Sequence, residues 1–275
     1  MMKLWFVAAV TLVSTNAWAL DIAPQVLIID AKDRSGALLL RNGAEAMVEV
    51  QVDVRFGFEV ADADGNVQAH YPAQPTDDHR SAAPFLRVYP RRARLAPGEE
   101  RVVRILARTP SDLPQGEYWA RASIRAVPVM PPSVEPSDRV RLQVGVTTEQ
   151  RIPVFVRHGR AAATAHIQDV SWEVEKRHGR DFLVARYFVG LEGSGAFLGT
   201  VHARVKRADG ELVGLRDKNL AVFESGWRRV EIPLESLPGR GARLELSTER
   251  RHPAITNDDL LPGGVTRWSA ALASR

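Results

Sequence analysis

The 275-residue sequence contains no cysteine. This absence excludes disulfides, thiolate zinc sites, iron–sulfur clusters and cysteine nucleophiles, so the fold must be held together by its hydrophobic cores. An excess of charge of one sign is also missing, because 37 Lys and Arg against 33 Asp and Glu leave a formal net charge of only +4. So small a surplus does not indicate nucleic-acid binding. With 45% hydrophobic and 25% charged residues, the composition is typical of a globular protein.

A hydrophobic run long enough to cross a membrane is missing as well. Residues 1–19 instead have the order of a secretory signal peptide, with Lys3 at the start, an apolar stretch at 4–13 and a small-x-small sequence at 17–19. A buried N-terminal helix is the alternative interpretation. We expect a mature chain of 20–275 that is exported, carries a formal charge of +3 once Lys3 is removed, and does not insert into a membrane.

Apolar residues recur at every second position, and no amphipathic helix longer than two turns is apparent. Val48, Val50 and Val52 alternate with polar residues, and 201–205 behaves in the same way. Short alternating runs separated by turn residues predict antiparallel strands, and Asp-Gly pairs such as Asp64-Gly65 predict hairpin turns. About seven such strands per half indicate an all-β protein made of two immunoglobulin-like β-sandwich domains.

The strand pattern stops at His158-Gly159-Arg160, where small residues follow. We therefore place the domain boundary there. This gives an N-terminal immunoglobulin-like domain at 20–158 and a C-terminal β-sandwich domain at 159–275. Four prolines within 128–136 predict a loop inside the first domain.

Candidate catalytic and metal-binding residues do not form a recognisable pattern. The seven histidines are dispersed, without a His-x-His or i, i+4 pair, which favours surface histidines over a metal site. Asp112 and Glu117 flank a turn and make a poor acid–base pair. We expect no catalytic residue, no metal and no cofactor, and therefore a protein that is not an enzyme.

The longest alternating run, at 140–156, carries the functional argument. Its even positions are mainly apolar over 17 residues, whereas a typical strand has about 5–6. Pro153 cannot donate a backbone hydrogen bond, which places the strand at a sheet edge at that point. Two interpretations stay open: Leu142, Val144 and Val146 face the core of their own domain, or they face outward and are covered by another chain.

Several stretches of the first half share the order and spacing of one known family. They are 24–29, 38–42, Phe85 with Pro90, 94–98, 101–105, 113–119 and 151–157. Together they resemble the N-terminal domain of the periplasmic pilus (fimbrial) assembly chaperones, in which 151–157 corresponds to the closing strand. The second half matches less well and resembles the second sandwich of divergent members.

The resemblance implies a periplasmic chaperone that binds and stabilises pilus subunits by donor-strand complementation, and delivers them to an outer-membrane usher. In this mechanism one strand of the chaperone completes the unfinished sandwich of a subunit. The implied subunit-binding residues are Val140, Leu142, Val144, Val146 and Thr148. The implied partners are pilus subunits and the usher.

The resemblance also implies an anchor for the terminal carboxylate of the subunit. Its two usual basic positions, on the first strand and near the end of the closing strand, correspond to Gln25 and Pro153, and neither is charged. Gln25 can still donate a hydrogen bond to a carboxylate, and strand alternation points Arg151 the same way as Pro153. Gln25 and Arg151 are therefore the candidate anchor residues.

The alternative function is a structural pilus component or a surface immunoglobulin-like adhesin. A pilus subunit needs either a missing strand or an N-terminal extension that it can donate to a neighbour. Residues 20–24 are too few to form such an extension before the first predicted strand, which favours the chaperone.

Overall fold

The computed structural model describes residues 20–30, 32–74, 80–129 and 145–272. The predicted signal peptide at 1–19 and most of the proline-rich loop therefore lie outside the described residues. Within the described ranges the chain forms eighteen strands and two short 3₁₀ helices, Ala83–Phe85 and Asn257–Asp259. The all-β prediction is confirmed, and no helix in these ranges is long and apolar enough to span a membrane.

The first half of the chain forms a two-sheet sandwich. Its strands are β1 (Leu20–Ala23), β2 (Leu27–Ile29), β3 (Ser35–Asn42), β4 (Val48–Arg55), β5 (Phe58–Ala61), β6 (Val67–His70), β7 (Leu86–Tyr89), β8 (Arg92–Leu95), β9 (Glu100–Ala107), β10 (Gly116–Pro128) and β11 (Thr148–His158). One sheet has the order β1-β3-β9-β7 and the other β2-β11-β10-β4-β8, while β5 and β6 form a separate hairpin.

The core of this sandwich comes from the predicted alternation. Val48, Val50 and Val52 on β4 are buried against residues of the opposite sheet such as Leu38 and Ile105. Each such side chain stabilises the fold by about 1.5–3 kcal/mol when fully buried.

The second half forms one seven-stranded sheet that folds over a core of its own. Its strands are β12 (Ala163–Arg177), β13 (Arg180–Gly193), β14 (Phe197–Lys206), β15 (Leu212–Val222), β16 (Gly226–Leu234), β17 (Arg243–Glu249) and β18 (Arg267–Ala271). Their order is β12-β13-β16-β15-β14-β17-β18. The core includes Leu183, Val201 and Ile232. The two halves together give the two immunoglobulin-like sandwiches expected from the sequence.

The two sandwiches follow each other through a short connection. β11 ends at His158, Gly159 has a φ of +69°, and β12 begins at Ala163. A division into 20–158 and 159–275 stays a prediction, which we propose on the basis of this connection.

The β5–β6 hairpin extends from the first sandwich to the second. In its turn, the Asp62 carboxylate accepts hydrogen bonds from the backbone N–H groups of Asp64 and Asn66, each at 2.9 Å. Gly65 follows with a φ of +83°, and a Cβ at this position would lie 2.5 Å from the carbonyl carbon of Arg228. Only glycine allows both this backbone conformation and so close an approach to β16.

An aromatic cluster joins the same surfaces. It consists of Phe56, Phe58, Trp119, Phe155 and Phe223, together with Ala196. Phe223, in the turn between β15 and β16, stacks on Phe155 with 6.0 Å between ring centroids and lies 5.1 Å from the ring of Trp119. The first sandwich therefore buries one apolar face against the second.

Candidate functional site

One edge of β11 is only partly covered. The strand pairs with β10 along its whole length, from Gly116 opposite His158 to Ala126 opposite Thr148. On its other side β2 pairs with Val154–Val156 alone. Among the described residues, the stretch from Thr148 to Pro153 therefore has a strand neighbour on one side only, as expected for a strand with Pro153 at a sheet edge.

The prediction of one continuous strand over 140–156 is wrong at residues 145–147, which are not part of a strand. The reason lies in β10, the strand that pairs with β11. If the register of Ala126 with Thr148 is extended, Val146 comes opposite Pro128, the last residue of β10. Proline has no N–H to donate, so the ladder ends there.

The predicted subunit-binding residues fall in two groups. Val140, Leu142 and Val144 lie outside the described residues. Val146 is 51% exposed, and it lines a shallow cleft at the end of the sandwich together with Thr148, which is half-buried. Whether these five residues bind a partner stays a prediction.

The same even-numbered row is buried further along the strand. Ile152, Val154 and Val156 all belong to the core of the first sandwich. The C-terminal end of the row thus faces the core of its own sandwich, while Val146 at the other end is exposed to solvent.

The two candidate anchor residues lie near this edge. The Gln25 side-chain amide donates a 2.7 Å hydrogen bond to the carbonyl of Ile22. If the parallel register of Val154 with Leu27 is extended, Gln25 comes level with Ile152, the neighbour of Arg151. Their role as a carboxylate anchor stays a prediction.

Arg151 already has partners of its own. Its Nε lies 3.0 Å from the Glu149 carboxylate, and its guanidinium lies 4.6 Å from the centre of the Tyr71 ring. The hydrogen bond that Arg151 donates to the Glu149 carboxylate raises the pKa of Arg151. The side chain is 41% exposed, so an incoming carboxylate can reach it in competition with Glu149.

Arg121 is a residue of this face that the sequence analysis missed. It lies opposite Pro153 in the β10–β11 ladder. Its buried side chain is 3.4 Å from the Glu59 carboxylate and 6.0 Å from the ring centre of Phe223. The signal was present, because polar residues alternate with apolar ones on β10. Its partner Glu59, however, lies 62 residues away.

A buried ion pair lies where the two sandwiches meet. Glu117 on β10 accepts a 3.2 Å hydrogen bond from Arg157 Nε and a 3.3 Å hydrogen bond from the backbone N–H of Ala196. Burial raises the pKa of Glu117, although Arg157 acts in the opposite direction. Glu117 therefore links Arg157 to the backbone of Ala196 at the junction of the two sandwiches.

No group of three or more His, Asp or Glu side chains in the described ranges is placed to hold a metal ion.

Comparison with solved structures finds chaperones. The YadV chaperone is 15% identical, with a TM-score of 0.46, and the match covers 92% of this chain and 99% of that one. The Escherichia coli chaperone DraB is 17% identical with a TM-score of 0.42, and 93% and 97% of the two chains are covered. The Pseudomonas aeruginosa CupB2 chaperone is 15% identical with a TM-score of 0.42, and 90% and 97% are covered.

Among curated proteins, nothing matches this chain significantly. A family model does match, at residues 19–159, and its description is "Pili and flagellar-assembly chaperone, PapD N-terminal domain". The matched residues make up just over half of the sequence and contain both sheets of the first sandwich. The chain therefore belongs to the family of pili and flagellar-assembly chaperones, which are binding proteins and not enzymes.

Proposed function

We propose that this protein is a periplasmic chaperone that holds pilus subunits by donor-strand complementation and passes them to an outer-membrane usher. The observation that supports the mechanism is the open side of β11 between Thr148 and Pro153. Family membership supports the chaperone role, and the signal-like order of residues 1–19 supports the periplasmic location.

The open edge offers what an incomplete sandwich lacks. Backbone N–H and C=O groups along the free side of a strand can pair with a neighbouring chain, and alternate side chains can enter its groove. Leu142, Val144 and Val146 would fill the groove, with Val140 and Thr148 at its ends. Burying three such side chains contributes roughly 5–9 kcal/mol before the costs of association.

The candidate anchor would act at the same edge. Arg151 is exposed enough to receive a carboxylate, and Gln25 has a second amide hydrogen that can be donated in addition to its bond with Ile22. A subunit whose terminal carboxylate replaced Glu149 on Arg151 would fix the register of the donated strand. In the free protein Glu149 keeps this cation paired.

The test is whether a co-expressed pilus subunit depends on the donated row. Val144→Glu and Val146→Glu each place a charge where the proposal needs an apolar side chain, and we expect the subunit to be degraded and the complex to be lost. Val102→Glu is the matched control for Val146→Glu, because Val102 is 46% exposed against 51% for Val146, but lies on β9 in the other sheet.

Unchanged subunit levels and complex yield in both Val144→Glu and Val146→Glu would reject strand donation.

Fractionation addresses the alternative of a structural pilus component or adhesin. A chaperone stays in the periplasmic fraction, whereas a pilus component is recovered in material sheared from the cell surface.

A further inference from the structure

The strands β15 and β16 separate soon after they meet. They follow each other in the chain, yet only Gly214 and Leu234 are paired between them. Where the two strands are apart, side chains and not backbone N–H groups make the hydrogen bonds between them. Lys218 Nζ donates to the carbonyl of Arg229 at 3.0 Å, and Arg228 Nη2 donates to the carbonyl of Ala221 at 3.3 Å.

A cavity of about 220 Å³ lies at this opening, between the second sandwich and the β5–β6 hairpin. The hairpin contributes Glu59 and Val67 to its lining, and the second sandwich contributes Tyr187, Lys218 and Arg228. The hairpin turn lies close by, since Gly65 is in contact with the backbone of Arg228 and Arg229. The cavity is thus formed by both halves of the chain.

The carboxylates around the cavity already have cationic partners. Glu59 pairs with Arg121 at 3.4 Å. Arg229, which also lines the cavity, pairs with Glu231 at 3.1 Å and with Glu175 at 3.6 Å. Within the described ranges, no ion pair is found for Lys218 or Arg228, and the carboxylates of Glu231 and Glu59 act on them only from a longer distance.

Arg228 is buried, whereas Lys218 is an exposed residue at the mouth of the cavity. Arg228 is 3% exposed, and its Nε has no hydrogen-bond partner within the described part of the chain. Its Nη1 donates to the carbonyl of Trp227 and its Nη2 to that of Ala221, so Nε is the one guanidinium nitrogen that makes no hydrogen bond within the described residues. A buried cation with an unused donor is unfavourable unless something negative lies beside it.

Lys218 supplies further donors. One of its three ammonium hydrogens is used for the Arg229 carbonyl, and two are left. Burial lowers the pKa of Lys218, and the nearby positive charges of Arg216 and Arg228 act in the same direction. Burial also lowers the pKa of Arg228. A bound anion would relieve the unfavourable charge at both side chains.

We propose that this cavity binds a small oxyanion, a phosphate or a carboxylate, through Lys218 and the guanidinium of Arg228, both of which line it. Two ammonium hydrogens and the unused guanidinium hydrogens suit a group with two or more acceptor oxygens on one centre. A bound anion would also offset the positive charge that β15 and β16 place against the hairpin, and so strengthen the contact between the two sandwiches. This site is independent of the proposed subunit binding.

The test uses the purified full-length mature protein and inorganic phosphate. At constant ionic strength, replacing chloride by phosphate is expected to raise the unfolding temperature in a saturable way, and calorimetric titration is expected to show binding. Acetate in a parallel series distinguishes a carboxylate site from a phosphate site. An increase with either anion supports the proposal and identifies the class.

Lys218→Gln is the decisive variant, because glutamine keeps a donor for the Arg229 carbonyl but removes the charge. It is expected to weaken anion binding by at least about tenfold. Lys206→Gln is the matched control, since Lys206 on β14 pairs with Glu245 at 2.9 Å and does not line the cavity. Equal unfolding temperatures in chloride, phosphate and acetate, or equal anion binding by Lys218→Gln and the native protein, would overturn the proposal.

Discussion

At the scale of single residues, Glu117 shows how one carboxyl group can connect two sandwiches. It is 1% exposed, and its backbone N–H donates to the Ser194 carbonyl at 2.8 Å while its carboxylate accepts from Ala196. On the other side it pairs with Arg157, which also donates to the Asp259 carbonyl. Glu117 thus contacts one segment of the second sandwich directly and a second one through Arg157.

Glu117 should make the stability of the protein depend on pH. Because burial raises its pKa in the folded state, the folded protein binds this proton more tightly than the unfolded chain does. The stabilising contribution is fully present below the unfolded pKa of about 4.3 and is lost as the pH rises through the folded value. Denaturant unfolding between pH 4 and pH 8 measures it, with Glu117→Gln as the variant that cannot titrate at this position.

The expected result is that the free energy of unfolding of the native protein, relative to Glu117→Gln, decreases as the pH rises across this range. A difference that stays constant with pH would mean that the folded pKa of Glu117 is close to the unfolded one.

At the scale of elements, two hairpins with the same turn dipeptide have different surroundings. Asp64-Gly65 and Asp209-Gly210 both place glycine at a positive φ, +83° and +91°. A Cβ on Gly210 would meet nothing within 4 Å, whereas a Cβ on Gly65 would meet the backbone of β16 at 2.5 Å. The local conformation is shared, and the tertiary contact is not.

Alanine substitution at these glycines separates the two effects. Gly210→Ala should cost only the backbone strain, about 1–2 kcal/mol. Gly65→Ala should cost a further 1–3 kcal/mol, roughly, because the hairpin must move away from β16. Equilibrium unfolding of both variants measures the two losses in free energy of unfolding. Equal losses would show that the hairpin turn does not pack against the second sandwich.

These hairpins also indicate what the sequence could predict. Turn residues and alternation depend on neighbours close in the chain, so the strands, the hairpins and the inward rows of β4 and β14 followed from the sequence. The contact of Gly65 with β16, and that of Arg121 with Glu59, join residues far apart in the chain, and no local pattern encodes them.

In β11, too, the sequence predicts local features and not contacts with distant segments. Alternation over 140–156 was real in the sequence, but a ladder also needs a partner strand. The partner ends at Pro128, so residues 145–147 are not in a strand although their pattern continues. The open edge at Pro153 was predictable from proline chemistry alone. The side-chain partners of Arg151 were not, because Tyr71 comes from a distant segment.

At the scale of the whole molecule, the aromatic cluster joins the two hydrophobic cores. Four of its five rings belong to the first half of the chain, and Phe223 belongs to the second. The ring of Phe223 is within 6.1 Å, centroid to centroid, of Phe58, Trp119 and Phe155. Packed aromatic pairs of this kind contribute beyond the area that they bury.

Phe223→Ala should therefore lower the free energy of unfolding by about 3–5 kcal/mol. It should also separate the unfolding of the two sandwiches, so that one denaturant transition becomes two. Phe188→Ala is the control, because Phe188 packs on Trp227 in the second sandwich and is outside the cluster. A single sharp transition in Phe223→Ala would show that the cluster does not couple the halves.

The position of Phe223 has a consequence for how the two halves of the protein evolve. Four aromatic side chains on one half are shaped around a single ring supplied by the other, so neither half is a freely exchangeable module. A chimera that joins a foreign second half to this first half would expose a hydrophobic face to solvent. The exception is a second half that has an aromatic residue at the position of Phe223. The aromatic residues of the two halves should therefore change together over evolutionary time.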